Sequence, residues 1–154
     1  MTDVANPGWL TRPPIVYLAA LVAGGLLQLA WPLQLLPPAF SVVMGVPLVI
    51  AAIALFVSSV VKFRAAGTPV PGHQATTAIV RAGPYRFSRN PIYLAFSLLH
   101  LGIAIWVNSL WLLATLAGAL LLMHYVVIPT EERYLERRFG AEYLDYKASV
   151  RRWL

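Results

Sequence analysis

The sequence contains no cysteine, which removes disulfide frameworks, thiolate nucleophiles and cysteine-based zinc sites together. Charge is scarce as well, at 12% of 154 residues, and acids are scarcest, with six Asp and Glu against twelve Lys and Arg. So few polar side chains cannot cover a water-soluble globule of this size. The chain lacks a Gly-x-Gly-x-x-Gly loop, a Walker A sequence, a His-Glu-x-x-His pair and a Gly-x-Ser-x-Gly elbow. The usual soluble nucleotide, zinc-protease and hydrolase solutions are therefore not visible in it. Three scattered histidines, His73, His100 and His124, do not compose a metal site. No basic stretch and small-residue cleavage site precede the first apolar run, which is expected to persist as a helix.

What the chain has in abundance is apolar surface, 59% of residues, with a mean hydropathy of +0.69. Apolar runs cover residues 15–31, 39–63, 91–107 and 110–128, with Gln28 and Pro47 as mild interruptions. Each is read as a helix crossing about 30 Å of hydrocarbon at about 1.5 Å per residue. The last two are separated only by Asn108-Ser109 and form a helical hairpin. The expected fold is all-α: one polytopic membrane domain over residues 1–154, with about four spans and a helical C-terminal cap.

Charge placement orients these spans. Lys62, Arg64, Arg81, Arg86 and Arg89 lie between the second and third runs. Arg133, Arg137, Arg138, Lys147, Arg151 and Arg152 follow the fourth, and the opposite turns are uncharged. The positive-inside rule then puts both termini, the loop 64–90 and the tail 129–154 in the cytoplasm, and the net charge of +6 reflects a membrane face rather than nucleic-acid binding. Trp31, Trp106 and Trp111 suit an outer aromatic belt, Tyr125 and Trp153 an inner one. Gly24, Gly25, Gly45, Gly102 and Gly118 are expected to allow close helix approach. Gln28 is expected to bond across helices, while His100 and His124 are intramembrane ionisable candidates whose commoner role is the same.

In the tail, Pro129 should end or kink the fourth span, Thr130 should cap the next helix, and Glu131 and Glu132 should occupy its first turn. Gly140 should stop that helix, and residues 141–153 should form another, with Tyr143, Tyr146, Val150 and Trp153 on one face. Tyr143 and Tyr146 read as anchors of the cap.

Residues 76–93 concentrate the groups with chemistry. Asn90 before Pro91 reads as an N-cap with proline at the first helical position, leaving free N–H groups and a positive dipole end. Arg86 and Arg89 add cations, and Tyr85 and Tyr93 add ring faces and hydroxyls. Glu131 and Glu132 should emerge at the same depth and could hold an amine, a ribose or a sulfonium. Such a pocket suits a zwitterionic adenosyl cofactor, although arginines before a span and acids starting a helix also arise from topology and capping alone.

The order GPYRFSRNPIY, then a hairpin, then EERYLERRFGAEYLDYKASVRRWL, resembles the isoprenylcysteine carboxyl methyltransferase and phospholipid methyltransferase superfamily of integral membrane enzymes. The resemblance covers roughly residues 67–154. It implies an S-adenosylmethionine-dependent methyltransferase acting on a lipophilic or membrane-embedded acceptor, with the cofactor held between the last hairpin and the cap. It implies cofactor contacts at Thr77, Ala78, Ile79, Val80, Tyr85, Asn90, Pro91, Ile92, Tyr93 and Glu131, and catalytic or substrate-facing roles for Arg89 and Glu132. Where that superfamily usually has Arg-His-Pro, this chain has Arg89-Asn90-Pro91, and asparagine cannot titrate near neutral pH. Val127 stands where the prenylcysteine enzymes carry an arginine one turn before the glutamate. The competing readings are an NADPH-dependent membrane reductase of the sterol reductase type and a non-catalytic membrane scaffold.

Overall fold

The computed structural model describes residues 12–67 and 77–154, so the opening segment and His73 lie outside the described residues. It is all-helical, with no strand among the described residues. Helix α1 spans Pro13–Ala30, α2 Pro38–Ala65, α3 Pro91–Trp106 and α4 Leu110–Leu122. A π-helical turn, Met123–Val127, joins α4 to α5, Ile128–Phe139, and α6 follows at Ala141–Ser149. Proline opens α1, α2 and α3, where its missing N–H costs no helical bond.

α1, α2 and the continuous rod Leu110–Phe139 are long and apolar enough to cross a membrane, and α3 is a shorter apolar helix of 16 residues. Leu18, Leu26, Val43, Ile50 and Leu121 point outward and are exposed, a surface that only lipid would cover favourably. The chain is an integral membrane protein of the polytopic all-α class.

α2 packs along α3, α1 along α4, and α3 against α4. Gly45 sets the first contact: a Cβ there would run into the backbone nitrogen and Cα of Trp106. Gly102 sits against Val49, and Gly24 against Leu112 and Thr115. A Cβ placed on Gly25 or Gly118 would meet nothing within 4 Å, so the expectation that these two also admit a neighbour is corrected. The core runs from Val16 and Tyr17 through Ile92 and Tyr93 to Met123, Val127 and Ile128.

One end of the bundle is closed by side-chain bonds to main chain. Asn108, at φ 55°, accepts from the Leu35 and Leu36 N–H groups (2.9 and 2.7 Å) and donates to the Leu36 carbonyl (2.7 Å). Ser109 caps α4 and donates to Gln28 (2.9 Å), and the Trp111 indole donates to the Trp31 carbonyl (2.7 Å). His100 Nε2 meets the Leu112 carbonyl at 3.0 Å, tying α3 to α4.

One expectation for the tail narrows and two change. Of the two outcomes expected at Pro129, an end or a kink, the first is excluded: the ladder widens to i→i+5, with Ile128 N–H bonding to the Met123 carbonyl, and the rod continues through the proline. Thr130 is consequently inside the helix, and its hydroxyl donates back to the Val126 carbonyl (2.8 Å) instead of capping. Gly140, at φ 54°, does stop α5, but α6 ends at Ser149, and Val150 turns into extended backbone. Val150 and Trp153 therefore do not extend the helical face that carries Tyr143 and Tyr146.

Candidate functional site

At the other end of the bundle, five parts of the chain line a cavity. Phe63 contributes from the end of α2, Ala78, Ile79, Val80 and Tyr85 from the loop, and Arg89 through Tyr93 from the α3 entrance. Ile128, Glu131, Glu132 and Leu135 come from α5, Tyr143 and Tyr146 from α6.

The loop is fixed before it reaches the cavity. A 3₁₀ turn at Gly83–Arg86 begins with Gly83 at φ 60°, a conformation that favours glycine. Tyr85 packs on Phe63 with ring centroids 5.3 Å apart, and its carbonyl accepts from the Tyr146 hydroxyl (2.8 Å). Arg81 reaches the Glu142 carbonyl (2.7 Å) and lies over the Tyr146 ring. The loop and α6 thus hold one another.

The α3 entrance meets α5 through Tyr93, whose hydroxyl donates to Glu131 at 2.7 Å. Asn90 occupies the N-cap position with Pro91 first in the helix, as expected, but its side chain makes no cap bond. Its amide instead donates to the Arg152 carbonyl (3.0 Å), while Ser88 Oγ accepts from the Asn90 N–H (3.1 Å).

The two glutamates differ sharply in their partners. Glu132, 5% exposed, is held by Arg89 at 3.1 Å and by the Arg152 guanidinium at 2.7 and 3.0 Å, with Lys147 at 4.0 Å. A buried carboxylate requires such compensation. Glu131 makes no ion pair among the described residues, and its one hydrogen bond comes from Tyr93. The cavity wall therefore presents an uncompensated carboxylate next to a compensated one.

Two buried donors around the same cavity are also without partners among the described residues: the Tyr85 hydroxyl and Arg89 Nε. Burial pushes the Tyr85 phenol well above its ordinary range, so it stays protonated and needs an acceptor. Burial likewise raises Tyr146, and it takes Tyr143 up to about 12. Hydrogen bonding to Glu132 raises Arg152 further above its already high value. Buried polar groups are rarely left unpaired, and two around one cavity point to a polar ligand.

Of the residues expected at the site, Ala78, Ile79, Val80, Tyr85, Arg89, Asn90, Pro91, Ile92, Tyr93, Glu131 and Glu132 all line the cavity. Thr77 does not; it is exposed, and its hydroxyl donates to the Gly67 carbonyl (3.3 Å). Sequence reasoning missed Ile128 and Leu135, although their spacing around Glu131 and Glu132 puts all four on one helix face. Tyr143 and Tyr146, read as anchors, are both anchors and wall. His100 is absent from the wall, and His124 Nδ1 accepts from the Trp153 indole (3.2 Å).

Comparison with known proteins is consistent with this arrangement. No solved structure gives a significant match. Over 68 residues, 44% of this chain, it is 40% identical to the cobalt-zinc-cadmium resistance protein CzcN of Cupriavidus metallidurans, covering 31% of that longer protein. It is 42% identical over 64 residues, 41% of this chain, to an uncharacterized Haemophilus influenzae protein matched along its whole length. The phospholipid methyltransferase family model matches residues 40–142, which takes in α2, the loop, the hairpin, the π turn and α5. With most of its length so matched, the chain belongs to the phospholipid methyltransferase family, within the isoprenylcysteine carboxyl methyltransferase type of membrane methyltransferases.

Proposed function

We propose that this protein is an S-adenosylmethionine-dependent methyltransferase whose cavity holds the cofactor and whose acceptor is a lipophilic or membrane-embedded small molecule. The observation that carries the reading is the meeting, around one cavity, of an uncompensated acid, Glu131, with two unpartnered donors, Tyr85 Oη and Arg89 Nε. A ligand bearing both a cationic centre and hydrogen-bond acceptors meets all three. Glu131 and Tyr93 would hold the cationic or hydroxyl-bearing part. Tyr85 and Arg89 would donate to its acceptors, and the N-terminal end of α3 adds a positive dipole.

The cofactor supplies a methyl group already activated on a sulfonium, so the protein's work is alignment and exclusion of water. Ile79, Val80, Ile92, Ile128 and Leu135 supply apolar walls for that purpose. Glu132 is taken up by cations, and its part in the reaction is to hold Arg89 in place. Asn90 supplies no titrating group, so proton removal, where the acceptor requires it, falls to another group or to water. The basic residues of the loop and tail support a cytoplasmic position for this end of the bundle. A single cavity-lining arginine serves two phosphate-bearing halves poorly, which disfavours NADPH.

The test is direct binding of S-adenosylhomocysteine, compared with NADPH, to purified protein in detergent. Binding of S-adenosylhomocysteine alone is expected; binding of NADPH alone, or of neither, removes the reading. Glu131→Gln should weaken S-adenosylhomocysteine by about tenfold or more with thermal unfolding unchanged, because it removes charge at nearly constant shape. Unchanged affinity would reduce Glu131 to a structural partner of Tyr93. Labelled methyl donor offered with membrane lipids and small amphiphiles then identifies the acceptor.

A further inference from the structure

Residues 150–153 lie beyond the segment matched by the family model, yet they touch both walls of the cavity. Arg89 N–H donates to the Arg151 carbonyl at 2.9 Å. The Arg152 carbonyl accepts from Asn90 Nδ2 (3.0 Å) and Ser88 Oγ (3.4 Å), which ties the segment to the α3 entrance. The Arg152 side chain turns the opposite way, forks onto both oxygens of Glu132 on α5 and reaches the His124 carbonyl (3.5 Å) in the π turn. Trp153 adds its bond to His124 and packs on the core.

One residue therefore bridges the two walls, with its main chain on one and its side chain on the other. We infer that Arg152 is a positioning residue that fixes the separation of the α3 entrance from α5 and sets the orientation of the Arg89 guanidinium at the cavity. The inference rests on the cofactor reading for its consequence in binding, but its geometry does not depend on it.

The reason lies in how Glu132 is shared. Its carboxylate has two oxygens; Arg152 occupies both with a fork, and Arg89 reaches it through a single Nη1 contact at 3.1 Å. Without the Arg152 fork, the best remaining compensation for a buried carboxylate is a bidentate pair with Arg89. Forming it would rotate the Arg89 guanidinium onto Glu132 and change what Arg89 presents to the cavity it lines. The loss at the site would then come from a residue that does not line it.

Because the chain has no cysteine, Phe87→Cys and Arg133→Cys, both at exposed positions, can be spin-labelled without background and report the distance across the two walls. In otherwise unaltered protein, a narrow distance distribution and S-adenosylhomocysteine binding are expected. Arg152→Gln should broaden the distribution and raise the S-adenosylhomocysteine Kd by about tenfold. Arg152→Lys, which keeps the charge but loses the fork, should fall between the two in both measurements. A variant that melts earlier but keeps the original distribution and Kd overturns the inference, since the segment would then only stabilise. Should Arg152→Gln fail to fold, Arg152→Lys decides alone, and an unchanged distribution in it is equally fatal. If the unsubstituted protein does not bind S-adenosylhomocysteine, the cofactor reading falls, while the distance measurement still judges the bridge.

Discussion

The two ends of the bundle handle buried polar groups in opposite ways. At the closed end, Asn108, Ser109, Gln28 and Trp111 bond to main chain or to one another and tie the α1–α2 linker to the α3–α4 turn. At the cavity end, Tyr85 Oη and Arg89 Nε are buried without partners, and Glu131 has no cation, among the described residues. Both ends are rich in polar side chains, so polarity alone does not distinguish a structural knot from a site. Satisfaction separates them better: no atom of the Asn108, Ser109, Gln28 and Trp111 knot is buried without a partner, and His100 Nδ1, deeper in the bundle, is the one such atom outside the cavity among the described residues, whereas the cavity end leaves two together beside an unpaired acid.

Breaking the helix packing that both ends share should have the largest effect. Gly45→Ala drives a methyl group into the Trp106 backbone, which cannot swing aside as a side chain could, and should cost about 3 kcal/mol in thermal or denaturant unfolding. Gly25→Ala, with open space around its Cβ, is the matched control and should leave stability unchanged or raise it by a few tenths of a kcal/mol, roughly. Asn108→Ala removes three hydrogen bonds at the closed end and puts alanine at positive φ; a loss of about 2 kcal/mol is expected with S-adenosylhomocysteine affinity unchanged. Tyr85→Phe sharpens the contrast from the other side. It removes a hydroxyl that the protein does not use, so stability should hold or rise, while ligand affinity falls by about 1 kcal/mol in a titration. A stability loss in Tyr85→Phe without an affinity change would make the two ends alike.

Much of this was legible in the chain. Apolar run length located the first three helices and the start of the fourth to within a few residues, because the bilayer sets the length of a span. The residues that build the α3 entrance and its acidic counterpart were also readable, since Asn90-Pro91 and Glu131-Glu132 mark helix starts or polar breaks in apolar sequence. What escaped was long-range. The bridge from Arg152 to Glu132 spans 20 residues and follows a helix that gives way to extended backbone at Val150, and no local pattern announces it. The proline rule alone did not choose between an end and a kink, for a physical reason: Pro129 lacks an N–H, but a wider turn upstream makes room for its ring, so the helix need not stop.

That wider turn has an angular consequence. An α-helix advances about 100° per residue, so one extra residue absorbed within Met123–Val127 re-indexes everything after it by about that angle relative to α4. Upstream of the turn, the rod is phased so that Leu112, Leu116 and Ala119 face the bundle. Downstream, the new phase brings Glu131 to Tyr93 and Glu132 to Arg89. The offset lets a single rod keep one azimuth for oil and another for charge.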